Sequence, residues 1–102
     1  MKIGITSQNF RTITGHAGKT RRFLIYQVEK GHEPRALDRL DLPREMSLHE
    51  TGSAAHPIDD LDVLITAGCG EGFKRKMEQR NIRLVITSET EPLTAVLAVM
   101  DE

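Results

Sequence analysis

The sequence has a single cysteine, no excess of either charge and no long apolar run. One cysteine excludes an intramolecular disulfide, and it cannot by itself supply a four-cysteine zinc or iron–sulfur site. Any metal centre must therefore draw on histidines or on a second chain. With 14 basic and 15 acidic side chains and a formal net charge of −1, there is no bulk attraction to nucleic acid or to an anionic membrane. No stretch of about 18 apolar residues, the length that reads as a membrane span, occurs anywhere. The opening MKIGITSQNF also lacks the apolar core of a signal peptide, so a soluble, cytoplasmic protein is expected. Internal repeats and low-complexity tracts are absent too. At 102 residues the expectation is one domain with a single core and no need of a covalent staple.

What is present reads as a mixed α/β chain. KIGIT at the start and RFLIYQVE, Arg22 to Glu29, are rich in β-branched and aromatic residues and predict two strands. After the turn GHEP, the imperfect alternation of RALDRLDL, Arg35 to Leu42, predicts a third. Pro43 to Pro57 is polar and small, with Gly52, Ser53, Ala54 and Ala55 inside it, and leaves room for one short helix around Glu45 to Glu50. DVLITA, Asp62 to Ala67, is continuously apolar, as a strand covered on both faces should be. EGFKRKMEQR then predicts a helix of about three turns, and RLVIT, Arg83 to Thr87, a further strand. LTAVLAVM places Leu93, Val96, Leu97 and Met100 at the spacing of an amphipathic helix, with Pro92 in its first turn. Strand–helix–strand–helix implies a parallel crossover in the second half, while the first half reads as antiparallel hairpins. The sheet should be mixed.

Two connections stand out. Ser7 to Arg21 joins strands that a few residues could have linked, and its tip is GHAGK. AGCGEG follows DVLIT at the carboxyl end of a strand, where α/β sheets tend to receive ligands. Gly68, Gly70 and Gly72 would let the backbone approach something closely, and a helix opening there leaves its first N–H groups without intrahelical partners. A phosphate cradle is one reading, although AGCGEG lacks the GxxxxGK[ST] pattern and Glu71 would oppose an anion. A second is a nucleophilic Cys69 activated by the helix terminus, with His16 or His56 as base. A third uses thiolate and imidazole as metal ligands, from His16, His49, His56 and Cys69, though no pair has the C-x2-C or H-x3-H spacing that would make the signal strong. A lone cysteine is also often a small buried hydrophobe. His32 reads as a turn residue, and Lys74, Arg75 and Lys76 as the solvent face of a helix. Lys19, Arg21 and Arg22 could surround an anionic ligand with positive charge.

GHAGKTRRFLIY after KIGIT, then HPIDDLDVLITAGCGEGFKRKMEQRNI, then the T-E-P of TSETEPLTAV together resemble the NifX/NifB-type dinitrogenase iron–molybdenum cofactor biosynthesis domain family, along the whole chain. The resemblance implies an RNase H-like α/β fold with a five-stranded mixed sheet and flanking helices. It implies a nitrogen-fixation-related carrier, not an enzyme, which binds a metal–sulfur cluster: the iron–molybdenum cofactor, its precursor, or a related molybdenum or iron–sulfur cluster. Metallocofactor assembly proteins would be its partners, with no nucleic acid or membrane, and the protein would be a monomer or weak homodimer. His16 matches the histidine of the family's GH-x-G loop, His56 the HP before the fourth strand, and Gly68 and Gly70 the glycine turn. Cys69 does not carry over as a family ligand; its candidacy rests on thiolate chemistry. Ala17 departs from the aromatic residue often found after the first histidine.

Sulfide-bridged clusters are bulky anions that need one or two protein ligands, N–H donors toward sulfide and shielding from water. Gly15, His16, Gly18 and Lys19 of one loop, with Gly68, Cys69 and Gly70 of the other, could supply all three if the loops meet at one edge of the sheet. Two rivals remain beside the small cysteine-dependent enzyme. One is an interaction module that binds no metal. The other is a nuclease, for which two-metal hydrolysis needs clustered carboxylates. KIGIT, the expected central strand, contains none.

Overall fold

The computed structural model describes residues 1–51 and 54–102. β1 (Lys2–Thr6) pairs antiparallel with β2 (Arg22–Gln27) on one side and parallel with β5 (Val63–Thr66) on the other, and β5 continues in parallel to β6 (Arg83–Ile86). The expected third strand is two short pieces, β3 (Arg35–Ala36) and β4 (Leu40–Asp41), both paired to β2, so the sheet has six strands and not five. The phase slip between Leu37 and Leu40 accounts for the break, because an odd spacing cannot keep both leucines on one face of a continuous strand. Between Pro43 and Pro57 the chain makes a 3₁₀ turn (Arg44–Met46) and a single helical turn, α1 (Leu48–Thr51). Gly52 and Ser53, read in sequence as loop, lie outside the described residues. A further 3₁₀ turn, Pro57–Asp60, leads into β5.

Alternation along the strands divides the interior into two layers. Ile3, Ile5, Val63 and Ile65 face Ala95, Val96 and Val99 of α3 (Pro92–Met100). On the opposite face Phe23, Ile25 and Leu64 meet Phe73 and Met77 of α2 (Glu71–Gln79), with Leu48, Ile58 and Leu61. Every residue of β5 is buried, as its unbroken apolar run predicts. Gly4 is required by this packing: a Cβ there would sit 2.4 Å from Leu61 Cδ1.

α3 forms where predicted but is turned from the expected stripe. Pro92, Ala95, Val96 and Val99 face the sheet, while Leu93 and Leu97 are 42% and 43% exposed. A nearly all-apolar helix gives no polar face to fix its rotation, and the smaller side chains are the ones that pack beneath it. No helix among the described residues is long and apolar enough to cross a membrane.

Candidate functional site

β1 and β5 lie side by side, and both end in Ile-Thr. Their threonines, fully buried, clasp the two conspicuous loops. Thr6 Oγ1 lies 2.6 Å from the Thr14 carbonyl and 2.7 Å from Thr66 Oγ1, and Thr66 Oγ1 lies 3.1 Å from the same carbonyl and 3.3 Å from that of Gly68. The main chain adds Ala67 N–H to Thr14 O at 3.2 Å and Ala17 N–H to Gly68 O at 3.3 Å. The GHAGK and AGCGEG loops therefore meet at the carboxyl ends of the parallel strands. The remainder of the long loop is held by Asn9, whose Oδ1 accepts from the N–H groups of Arg11 and Thr12, and by Phe10, whose ring packs against the guanidinium groups of Arg22 and Arg39.

An open depression of about 670 Å³ lies between the loops. Gly15, His16, Gly18, Lys19, Gly68, Cys69 and Gly70, all singled out in sequence, line it, and so do His49, Gly72 and Lys76. His16 is exposed there, with its backbone in the left-handed region at φ 53°, ψ 48°. That conformation is uncommon outside glycine, although histidine adopts it more readily than most residues, and Phe10 and Asn81 share it here. Ala17, one residue on, is fully buried in the α2-side core. Its small side chain is what that position accommodates, so an aromatic residue would need another place.

Beyond the glycine turn, α2 opens with Gly70 as N-cap and no side-chain cap. Lys74 N–H is the first to bond within the helix, to Gly70 O at 3.3 Å, which leaves the N–H groups of residues 71 to 73 without a main-chain acceptor among the described residues. Two lysines and two histidines line the depression and no carboxylate does. Glu71, expected to oppose an anion, instead pairs with Lys74 at 3.0 Å in an exposed i,i+3 bridge. Lys76, read in sequence as part of a solvent face, donates to the Leu48 carbonyl at 2.8 Å and ties α1 against the site. Its spacing of four from Gly72, which puts both on one helix face, was the available signal.

Three glycines of this wall share a property. None of Gly68, Gly70 and Gly72 adopts a left-handed φ, and among the described residues a Cβ added to any of them would meet nothing within 4 Å. Neither backbone conformation nor packing among the described residues calls for glycine at these positions. The space above them is open.

Cys69 is half-buried, with its side chain against the α2-side core. Burial pushes its thiol pKa up, with Lys74 pulling it down and Glu71 adding to the rise. This is the opposite of the activation a nucleophilic cysteine needs. His56 is not among the lining residues. It caps the Pro57–Asp60 turn: Nδ1 accepts from Ile58 N–H at 3.2 Å, so Nε2 carries the proton and donates to Met46 O at 2.6 Å. The Phe23 ring stands edge-on to it at 6.5 Å between centroids. Both ring nitrogens are thus engaged by main chain, in a side chain that is 6% exposed. Among the described residues no group of three or more His, Cys, Asp and Glu side chains is disposed to hold a metal ion.

A three-layer α/β domain whose open ground lies at the carboxyl ends of adjacent parallel strands, walled by glycine main chain and lysine, is built on the plan by which α/β sheets receive ligands. The chain belongs to the dinitrogenase iron–molybdenum cofactor family, whose sequence model matches residues 1–102. The crystal structure of PH0822 shares the fold, with a TM-score of 0.75 at 18% identity over 99% of this chain and 91% of that one. No curated protein matches the sequence.

Proposed function

We propose that the protein binds a metal–sulfur cluster in this depression and carries it during metallocofactor assembly, without catalysing a reaction. The observation that supports the reading most is the open space over Gly68, Gly70 and Gly72, glycines that packing among the described residues does not call for. A bulky polyanion settling there would lie against the free N–H groups at the start of α2, which can donate to its sulfides. Lys19 and Lys76 would offset its charge, and the His16 imidazole would ligate a metal at its rim. Cys69 would be a supplementary ligand, since metal binding would have to displace a thiol proton that burial retains. His49, which lines the depression from α1, would be a further imidazole at its rim. His56 is left out of this ligand set, because ligation would cost it both main-chain partners.

Few ligands suit a carrier that must release its cargo. The family name supports an iron–molybdenum cargo, and assembly proteins would supply and receive it. The strand order, with the antiparallel β2 side and the parallel β5–β6 side flanking β1, supports an RNase H-like classification. The absence of a lining carboxylate argues against the hydrolysis associated with some proteins of that architecture.

The test is anaerobic titration of the protein with a preformed iron–molybdenum–sulfur cluster, followed by absorbance and by metal analysis after gel filtration. Stoichiometric metal and a visible spectrum are expected, with His16→Ala weakening binding by about tenfold or more. Colourless, metal-free protein would overturn the proposal in favour of an interaction module. If His16→Ala bound like wild type, His49 would replace it as the imidazole ligand.

A further inference from the structure

The two edges of the sheet are finished differently. On one side β3 and β4 are two residues each, interrupted between them and set among Pro34, Arg35, Asp38, Arg39, Asp41 and Pro43. Such an edge resists pairing. On the other side β6 is continuous, carries Leu84, Val85 and Ile86 without a proline or lysine, and leaves Ile86 49% exposed. Arg83 N–H bonds to Asp62 O and Thr87 N–H to Thr66 O, both at 3.0 Å. Because a parallel ladder uses alternate residues, Arg83, Val85 and Thr87 are committed to β5, and the N–H and C=O groups of Leu84 and Ile86 face outward. Among the described residues nothing bonds to them. A groove flanks this edge on each face of the sheet. One, of about 310 Å³, runs between β6 and α2 past Lys74, Met77 and Glu78; the other, of about 400 Å³, runs between β6 and α3 past Glu89, Thr94 and Ala98.

We infer that β6 pairs antiparallel with β6 of a second copy, about a two-fold axis through Val85. The outward groups are symmetric about that residue. Leu84 of one copy would exchange both hydrogen bonds with Ile86 of the other, twice, which is the closed pattern of an antiparallel ladder. Cross-strand neighbours would be Leu84 against Ile86 on the α2 face and Val85 against Val85 on the α3 face, all apolar. Charge fits the same axis. Lys74 lines the α2 groove one turn nearer the start of α2 than Glu78, so reversing the strand brings each lysine toward the glutamate of the other copy; its exposed bridge to Glu71 uses one of the three ammonium donors and leaves the others for that partner. Arg83 takes no part in this, since it pairs with Glu102 of its own chain. Thr94 and Ala98, small and exposed, allow the two α3 helices to approach. An extended peptide from an unrelated protein could use the free hydrogen bonds but would not need this self-complementary pattern of charge.

Sedimentation velocity across about 10 μM to 1 mM, the range of a small interface, should show a monomer–dimer equilibrium. Amide exchange at Leu84 and Ile86 should slow as dimer forms, with Val85 unchanged. Ile86→Lys should weaken association by about tenfold or more while leaving the melting temperature nearly unchanged. Lys74→Glu should also weaken it, and adding Glu78→Lys should restore it. The proposal is overturned by a wild-type monomer throughout the range, by dimer formation with no protection at Leu84 and Ile86, or by a folded Ile86→Lys variant that dimerises like wild type. It is overturned equally if the charge exchange at residues 74 and 78 fails to restore what Lys74→Glu removes. None of these readouts depends on metal.

Discussion

Burial holds the His56 imidazole neutral: desolvation pulls its pKa below the ordinary 6.5, Arg80 pulls the same way, and the Met46 carbonyl and Asp59 oppose. In the unfolded chain the ring titrates ordinarily, so between the two pKa values the unfolded state binds more protons, and folding weakens as pH falls. This contribution is complete above pH 6.5 and is lost on descending through the folded pKa. The melting temperature should therefore decline from about pH 6.5 downward, and calorimetry on His56→Ala should find that step missing. The variant should also be less stable by about 2–3 kcal/mol at neutral pH, since Ile58 N–H and Met46 O lose a buried partner. The same residue shows how far a sequence can be read. HP before an apolar run marked His56 as a position with a purpose, but ligand and helix cap require the same imidazole, and only the distance to Met46, ten residues back, separates them. That His16 would lie at the loop tip beside the depression was legible from the glycines around it, and its left-handed backbone was not.

Gly72 stands in the second position of α2, where helical geometry favours alanine. With open space where the methyl would go, Gly72→Ala should stabilise the protein by about 0.4–1 kcal/mol, raising the melting temperature by a few degrees. If the depression receives a cluster against the main chain, the same substitution should weaken that binding by about tenfold, as equilibrium titration would show. Loss of stability, or unchanged binding, would remove the glycines from the ligand wall. At this scale β1, β2, β5, β6, α2 and α3 were legible because hydrophobic period and length specify them together. β3 and β4 were read as one strand, and α1 as a short helix set a few residues early, because two to four residues carry too little periodicity to fix their bounds. The rotation of α3 was hidden for another reason: a helix apolar all round is placed by what lies beneath it.

Across the whole molecule, binding at one end and stability are linked, since a ligand that binds only the folded chain stabilises it by about 2.7 kcal/mol at a hundredfold excess over Kd. If the depression receives a cluster, anaerobic thermal melts with excess cluster should rise accordingly, and His16→Ala should remove about half of the rise or more while melting normally when empty. The meeting of the two loops was foreseeable only as a condition, because it depends on β1 lying beside β5, a pairing between segments 60 residues apart in sequence. That separation has a consequence for when the protein can work. The hairpin of β1 and β2 is complete within the first 27 residues, yet Thr6 finds Thr66, and Ala17 finds Gly68, only after the second half of the chain has emerged and inserted its strand. A nascent chain on the ribosome therefore holds the GHAGK loop with no opposing wall. If the depression receives a cluster, capture must wait until β5 and the glycine turn have joined the sheet, so the first hairpin alone cannot sequester it.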